Sequence, residues 1–251
     1  MRGLAAGPRV RVALVALALM ASGACSVSHP VVLPPPADTG PAPVYVSVGA
    51  GETTGAGADQ PLRDAWPRIL HRTALPAGAI FVNMGIPGAT VAQALAEEMD
   101  QALLVRPNLV TVWLNVSDLA HGVSPADYEG QLDTLVRTLR RNGATRVLIA
   151  NTPPLDRLSP NLPGRNGGTL PPPDQLNPLV DAYNAAIGRV AQREGALLVD
   201  LHAVVTAARS AGTDAGLLNA DGASLSNAGH AAVAGAFADV LRNSGPLAPP
   251  N

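Results

Sequence analysis

The residues of this chain that could do chemistry fall into a few short segments. Gly49-Ala50-Gly51-Glu52-Thr53-Thr54-Gly55 is a glycine-rich turn with one acid and two hydroxyls. Asn83-Met84-Gly85-Ile86-Pro87-Gly88-Ala89-Thr90, Trp113-Leu114-Asn115-Val116-Ser117-Asp118-Leu119 and Asp221-Gly222-Ala223-Ser224-Leu225-Ser226-Asn227-Ala228-Gly229-His230 add amides, hydroxyls, carboxylates and a histidine. A Gly49-x-Gly51 pair just after a strand suggests a dinucleotide loop, whose backbone N–H groups would cradle a pyrophosphate. The spacing that follows does not continue that pattern, and Asn83-Met84-Gly85 puts no acid where a ribose would need one. No cluster of histidine, cysteine and carboxylate has the spacing of a metal site, so neither metal nor cofactor is expected. His71, His121, His202 and His230 all have a plain use as surface or hydrogen-bonded histidines. His121 stands apart because it follows a strand on the edge where sites form.

These segments are positioned by a regular alternation of elements. Val44–Val48, Ile80–Asn83, Leu109–Leu114, Val147–Ala150 and Leu197–Val199 are short β-branched or aliphatic runs that read as strands. Between them, Ala65–His71, Val91–Leu104, Pro125–Arg141, Leu179–Arg193 and Asn227–Leu241 read as helices. The 3.6-residue spacing of Leu132, Leu135, Val136 and Leu139 is the plainest example. Apolar strands alternating with helices predict an α/β fold, a parallel sheet covered on both faces. Asn161–Pro173, rich in Pro and Gly, predicts a long loop after the fourth strand. Loops at the carboxyl ends of strands build the sites of open α/β sheets, so this one is expected to rim a pocket.

The N-terminal part follows other rules. Met1–Arg11 carries Arg2, Arg9 and Arg11, Val12–Ala21 is uncharged and apolar, and Ser22-Gly23-Ala24-Cys25 follows. That order describes an export signal, since the apolar run is half the ~20 residues a membrane span needs. Cys25, the single cysteine, excludes an intrachain disulfide. Its place after small residues resembles a bacterial lipoprotein box, in which the thiol is acylated and becomes the mature N-terminus. Ser22 stands where that box usually has leucine, and Ser22-Gly23-Ala24 also suits an ordinary signal peptidase, which would leave a soluble secreted protein. The expected organisation is a signal peptide over 1–25, a proline-rich tether over 26–43, one domain over 44–243 and a tail over 244–251. A net charge of -2 gives no basic face for nucleic acid, and 3% aromatic residues disfavour stacking platforms. The protein is expected to be a monomer on the outer face of the cytoplasmic membrane, or secreted.

Read together, the four polar segments resemble, in order and spacing, the four sequence blocks of SGNH/GDSL esterases and lipases. Asn151-Thr152-Pro153-Pro154-Leu155-Asp156 is also similar to the stretch after strand four in exported bacterial members. The resemblance spans Val44 to about Leu241. It implies a three-layer α/β/α fold with a flavodoxin-like parallel sheet of five strands. It also implies ester hydrolysis by a serine nucleophile, a histidine base oriented by an aspartate, and an oxyanion hole. Carried over residue by residue, the nucleophile position is Gly51 and the histidine position is Ser224. Asp221 matches the aspartate, and Gly88 matches the glycine donor. The asparagine donor position is Ser117, followed by the expected Asp118.

A glycine has no group to attack a carbonyl, and a serine is no base near neutral pH. The resemblance therefore implies a non-catalytic member that keeps an acyl- or carbohydrate-binding pocket of Gly51, Gly88 and Ser117. The alternative is an active hydrolase of acylated envelope glycans or lipids with a relocated nucleophile. Thr53 and Thr54, His121 and His230 are the neighbours that could take part. Asp221 has a plainer role as well, hydrogen-bonding the loop before the last helix. A product without a selected role stays open as a third reading.

Overall fold

Five runs of β-branched and aliphatic residues form one parallel sheet in a computed structural model, which describes residues 42–162 and 168–247. The export segment, Cys25 and most of the proline-rich tether lie outside the described residues, as do 163–167 of the long loop and the end of the tail. The strands are β1 (Val44–Gly49), β2 (Ile80–Asn83), β3 (Leu109–Trp113), β4 (Arg146–Ala150) and β5 (Leu197–Val199). Their order is β2-β1-β3-β4-β5, every pair parallel, which is the flavodoxin-like arrangement.

Alternation along each strand splits the core in two. Val46, Val48, Val110, Val112, Val147 and Ile149 point to one face. Tyr45, Leu109, Trp113, Leu148 and Ala150 point to the other. Both sets are buried, because helices cover both faces. After β1 come α1 (Gly51–Thr54), α2 (Pro61–Asp64) and α3 (Trp66–Ala74). After β2 come α4 (Val91–Gln93), a π-helical turn (Ala94–Glu98) and α5 (Met99–Leu104). Then follow α6 (Val116–Ala120), α7 (Pro125–Arg140), α8 (Pro173–Glu194), α9 (Leu201–Ser210) and α10 (Asn227–Asn243). Helices α7 and α8 pack together over the first face, where the Tyr128 and Tyr183 rings stack at 4.2 Å. Helices α3 and α10 pair over the second, with Trp66 stacked on Phe237 at 4.5 Å.

The caps explain why elements begin where they do. Thr90 accepts the Gln93 N–H while the Gln93 side chain accepts the Thr90 N–H, a capping box that starts α4. Ser124 caps α7, Asp200 caps α9 and Ser226 caps α10, each accepting a backbone N–H three residues on.

Short helices α2 and α6 and the π-helical turn inside Val91–Leu104 add to the expected pattern, and two longer helices differ from it. Helix α8 starts at Pro173, six residues before the expected Leu179, and carries Pro178 inside it. Proline 173 suits the first helical turn, and buried Leu176, Val180 and Tyr183 hold the helix across the hydrogen bond that Pro178 removes. Helix α9 follows β5 after a single residue and is not among the expected helices, although Leu201, Val204, Val205 and Ala208 repeat at helical spacing; Leu201 is its one buried residue. Among the described residues no helix is long and apolar enough to cross a membrane.

Candidate active site

Strands β1 and β3 are neighbours, but the chain leaves β1 toward β2 on one side and reaches β3 on the other. The carboxyl ends on either side of such a switch point leave a crevice. Here Gly51, at the start of α1, Gly88, in the loop after β2, Ser117, in α6, and Ser224, in the loop before α10, all line one cleft of about 530 Å³ including its open mouth. Glu52, His121 and Ala223 line it too, and Leu162 and Gly168 bring the long loop to its rim.

Each wall has a local cause. Gly88 has φ +73°, a left-handed conformation that glycine adopts without the cost of a side chain. The Asp118 carboxylate accepts the Val91 N–H at 3.0 Å and so fastens the end of the Gly88 loop to α6. Burial pushes the Asp118 carboxyl up to about 7, although the Val91 hydrogen bond pulls the other way. Neither the Gly51 nor the Gly88 N–H has an acceptor among the described residues, and the Ser117 hydroxyl, on a buried residue, has no partner there either. Two backbone donors and a hydroxyl are thus left to face whatever enters the cleft.

The opposite wall is built differently. Ser224 Oγ donates to Asp221 Oδ2 at 2.6 Å, and Asp221 Oδ1 accepts the N–H groups of Ala223 and Ser224. These bonds, the Ser224 hydroxyl first, hold the Asp221 carboxyl below its ordinary range. Asn219 Nδ2 donates to Ser224 Oγ, to Gly57 O and to Leu225 O. The loop lies so close to Gly57 that a Cβ there would come within 2.3 Å of Leu225 O. Ser224 is therefore a fully bonded structural hydroxyl. Asp221 organises the loop, and Ser226 supplies the helix cap.

The neighbouring candidates separate cleanly. Thr53 is buried beneath the turn, packed against Gly49 and Gly85, and Thr54 Oγ1 donates to Gly51 O; neither lines the cleft. His230 is buried in α10, its Nδ1 accepting the Trp66 N–H at 3.3 Å and its Nε2 donating to Ala56 O at 3.1 Å. Burial lowers its pKa. Both ring nitrogens are occupied, so it braces α3 against α10. His121 does line the cleft. Its Nδ1 donates to Ser117 O at 2.6 Å, and this leaves Nε2 as the acceptor in the neutral ring.

Two acids near the site escape a reading of motifs. Glu52 follows Gly51 directly, and its carboxyl makes no hydrogen bond to another described side chain. Burial raises it above the usual carboxylate range, against a hydrogen bond from its own backbone. Glu98, at the end of the π-helical turn, accepts the Gly49 N–H at 3.0 Å. Burial pushes Glu98 up to about 8, the Gly49 hydrogen bond opposing it and Glu97 adding to it. The position of Glu52 beside Gly51 was a visible signal, whereas Glu98 reaches β1 only through the fold. Among the described residues no group of three or more His, Cys, Asp or Glu could hold a metal ion.

The fold recurs in solved structures. An acetylxylan esterase from Geobacillus stearothermophilus, solved as a catalytic mutant, is 20% identical, with 80% of this chain and 95% of that one covered and a TM-score of 0.63. The lipase/acylhydrolase from Enterococcus faecalis is 20% identical, with 83% and 99% covered and a TM-score of 0.59. A member of the lipolytic G-D-S-L family from Veillonella parvula is 16% identical, with 79% and 98% covered and a TM-score of 0.61. The structural likeness establishes the fold alone. No curated protein sequence matches the chain. A profile of the GDSL-like lipase/acylhydrolase family matches residues 47–232, most of the chain and all four polar segments. The chain belongs to the GDSL-like lipase/acylhydrolase family.

Proposed function

We propose that this protein is an exported member of the family that does not hydrolyse esters but binds an acyl group or an acylated sugar in the cleft at the ends of β1 and β3. The observation that carries this reading is the composition of the cleft wall. Gly51 presents no side chain, and Ser224 spends its hydroxyl proton on Asp221. An acid held below its ordinary range is a weak base toward an alcohol, so the Ser224–Asp221 pair supplies no alkoxide near neutral pH. What is left, two free N–H groups and the Ser117 hydroxyl, suits a carbonyl oxygen that stays intact. Residues 1–43 would place this module outside the cell, lipid-anchored at Cys25 or secreted, with acylated envelope components as the ligands at hand.

A second reading, hydrolysis by a relocated group, is favoured by one observation: His121 faces the cleft with Nε2 free to accept a proton. One pair of measurements separates the two. Purified protein should release no p-nitrophenol from a short p-nitrophenyl ester above the buffer rate. Titration with acetate or an acetylated sugar should shift the amide resonances of Gly51, Gly88 and Ser117. A rate above buffer that disappears in His121→Ala would establish hydrolysis instead. An absence of shifts at all three residues would remove the binding reading.

A further inference from the structure

Beside the cleft lies a second, larger cavity of about 800 Å³ including its mouth, walled by Trp113, Leu155, Leu201, Leu217, Leu225 and Val233. It runs between the loop after β4, helix α9 and helix α10, and Glu52 and Val116 separate it from the cleft. We infer that this cavity is a binding site for an apolar primary amine, whose ammonium group pairs with the Glu52 carboxylate while its hydrocarbon part fills the apolar walls.

The argument is one of charge balance inside an apolar space. Three other charged residues line it, Arg157, Arg209 and Asp214, and all three are ion-paired, Arg209 also with Asp156 outside the lining. Arg157 Nη1 lies 2.5 Å from Asp214 Oδ2, Arg209 Nε lies 3.2 Å from the same oxygen, and Arg209 Nη2 lies 3.0 Å from Asp156 Oδ1. Two guanidinium groups and two carboxylates cancel, and Asp214 is itself buried between its two partners. Glu52 is then the one charged residue of the lining without an ion pair or a hydrogen-bonding side chain among the described residues. A carboxyl in apolar surroundings is costly to ionise unless a counter-ion accompanies it, and an ammonium-bearing ligand brings one.

The same balance ranks the other occupants. A fatty acid would either place a second carboxylate beside Glu52, where like charges disfavour each other, or compete with Asp214 and Asp156 for Arg157 and Arg209, which are already paired. A fatty alcohol would bury the same hydrocarbon and leave Glu52 without a counter-ion. An amine gains both the burial and the pairing. The site is distinct from the donors at Gly51, Gly88 and Ser117, so it stands or falls independently of what those donors bind.

Three probes of equal chain length test the inference: n-octylammonium, n-octanol and octanoate, each titrated into the full-length protein at pH 7. The chain has two tryptophans; Trp113 lines the cavity, and Trp66 packs against it at 6.2 Å. Intrinsic fluorescence therefore reports occupancy, and amide shifts of Leu201, Leu217 and Val233 locate it. Octylammonium is expected to bind at least tenfold tighter than octanoate and tighter than octanol. In Glu52→Gln, which keeps the shape and removes the charge, octylammonium should weaken at least tenfold while octanol is unchanged. The inference is overturned if octanoate binds as tightly as octylammonium, if Glu52→Gln leaves the ranking intact, or if no probe saturates the Trp113 signal. Shifts at Gly51, Gly88 and Ser117 with an acetylated ligand are a separate readout, so either reading can fail alone.

Discussion

The two walls of the cleft are built from different materials. On the side of β2 and β3, the Gly88 N–H, the left-handed turn that presents it and the Asp118–Val91 hydrogen bond that fastens it are mostly matters of main chain. On the side of α10, the loop around Asp221 is equally well ordered by hydrogen bonds, but the positions that would have to move protons hold Gly51 and Ser224. A wall made of turns and amides depends on a few glycines and caps. A wall that does proton transfer depends on particular side chains, and a single substitution removes the chemistry while the loop stays in place.

The comparison is broken or sharpened most strongly by rebuilding the second wall. A Cβ at Gly51 would meet no atom closer than Ala56 Cβ at 3.7 Å, and Gly51 does not have a positive φ, so Gly51→Ser fits. Gly51→Ser combined with Ser224→His is expected to raise p-nitrophenyl acetate hydrolysis by on the order of 10²-fold or more over the parent, the scale of a positioned general base. If the rate stays at buffer level in a folded double variant, the first wall is not a working set of donors.

The next effect is on the first wall itself. Asp118→Ala removes the acceptor of the Val91 N–H and is expected to cost about 1–2 kcal/mol, the scale of a lost helix cap, with Tm lower by several degrees in a thermal scan. It should also weaken any acetylated ligand seen at Gly88. An unchanged affinity would mean the Gly88 turn stands without Asp118.

A smaller, pH-dependent effect probes the seat of the turn below both walls. With its carboxyl pushed up to about 8, Glu98 binds its proton more tightly folded than unfolded. Its contribution to stability is complete below the ordinary carboxylate range and is lost as pH rises toward about 8. The Tm should fall between pH 5 and 9, and Glu98→Gln, which still accepts the Gly49 N–H, should flatten that slope. His230 has the opposite sign. Its lowered pKa makes it destabilising as pH falls below about 6.5, the ordinary histidine value, and His230→Gln should soften the loss of Tm at pH 5. Equal slopes in parent and variants would show that neither group titrates where its burial implies.

Much of this arrangement was legible in the residues. The five strands and the meeting of Gly51, Gly88, Ser117 and Ser224 follow patterns that short-range periodicity and motif order carry. The early start of α8 was not legible, because Pro178 reads as a stop, whereas α9 carries legible helical spacing at Leu201, Val204, Val205 and Ala208 that the expected pattern omits because the helix follows β5 so closely. The role of His230 was not legible either: nothing within a few residues of it tells that it bridges Trp66 and Ala56, whereas His121, which follows β3 on the edge where sites form, does line the cleft.

By itself, then, the sequence determined the alternating α/β order, the family and the absence of a side-chain nucleophile at position 51, since these reside in residue identity and local spacing. Only the tertiary structure decided that Glu52 stands on the wall between a polar cleft and an apolar cavity, and that Arg157 and Arg209 on the same cavity pair with Asp214 and Asp156. The physical reason is that a carboxyl's energy is set by what surrounds it in space. Its surroundings here come from helices α9 and α10, about 150 residues and more further along the chain.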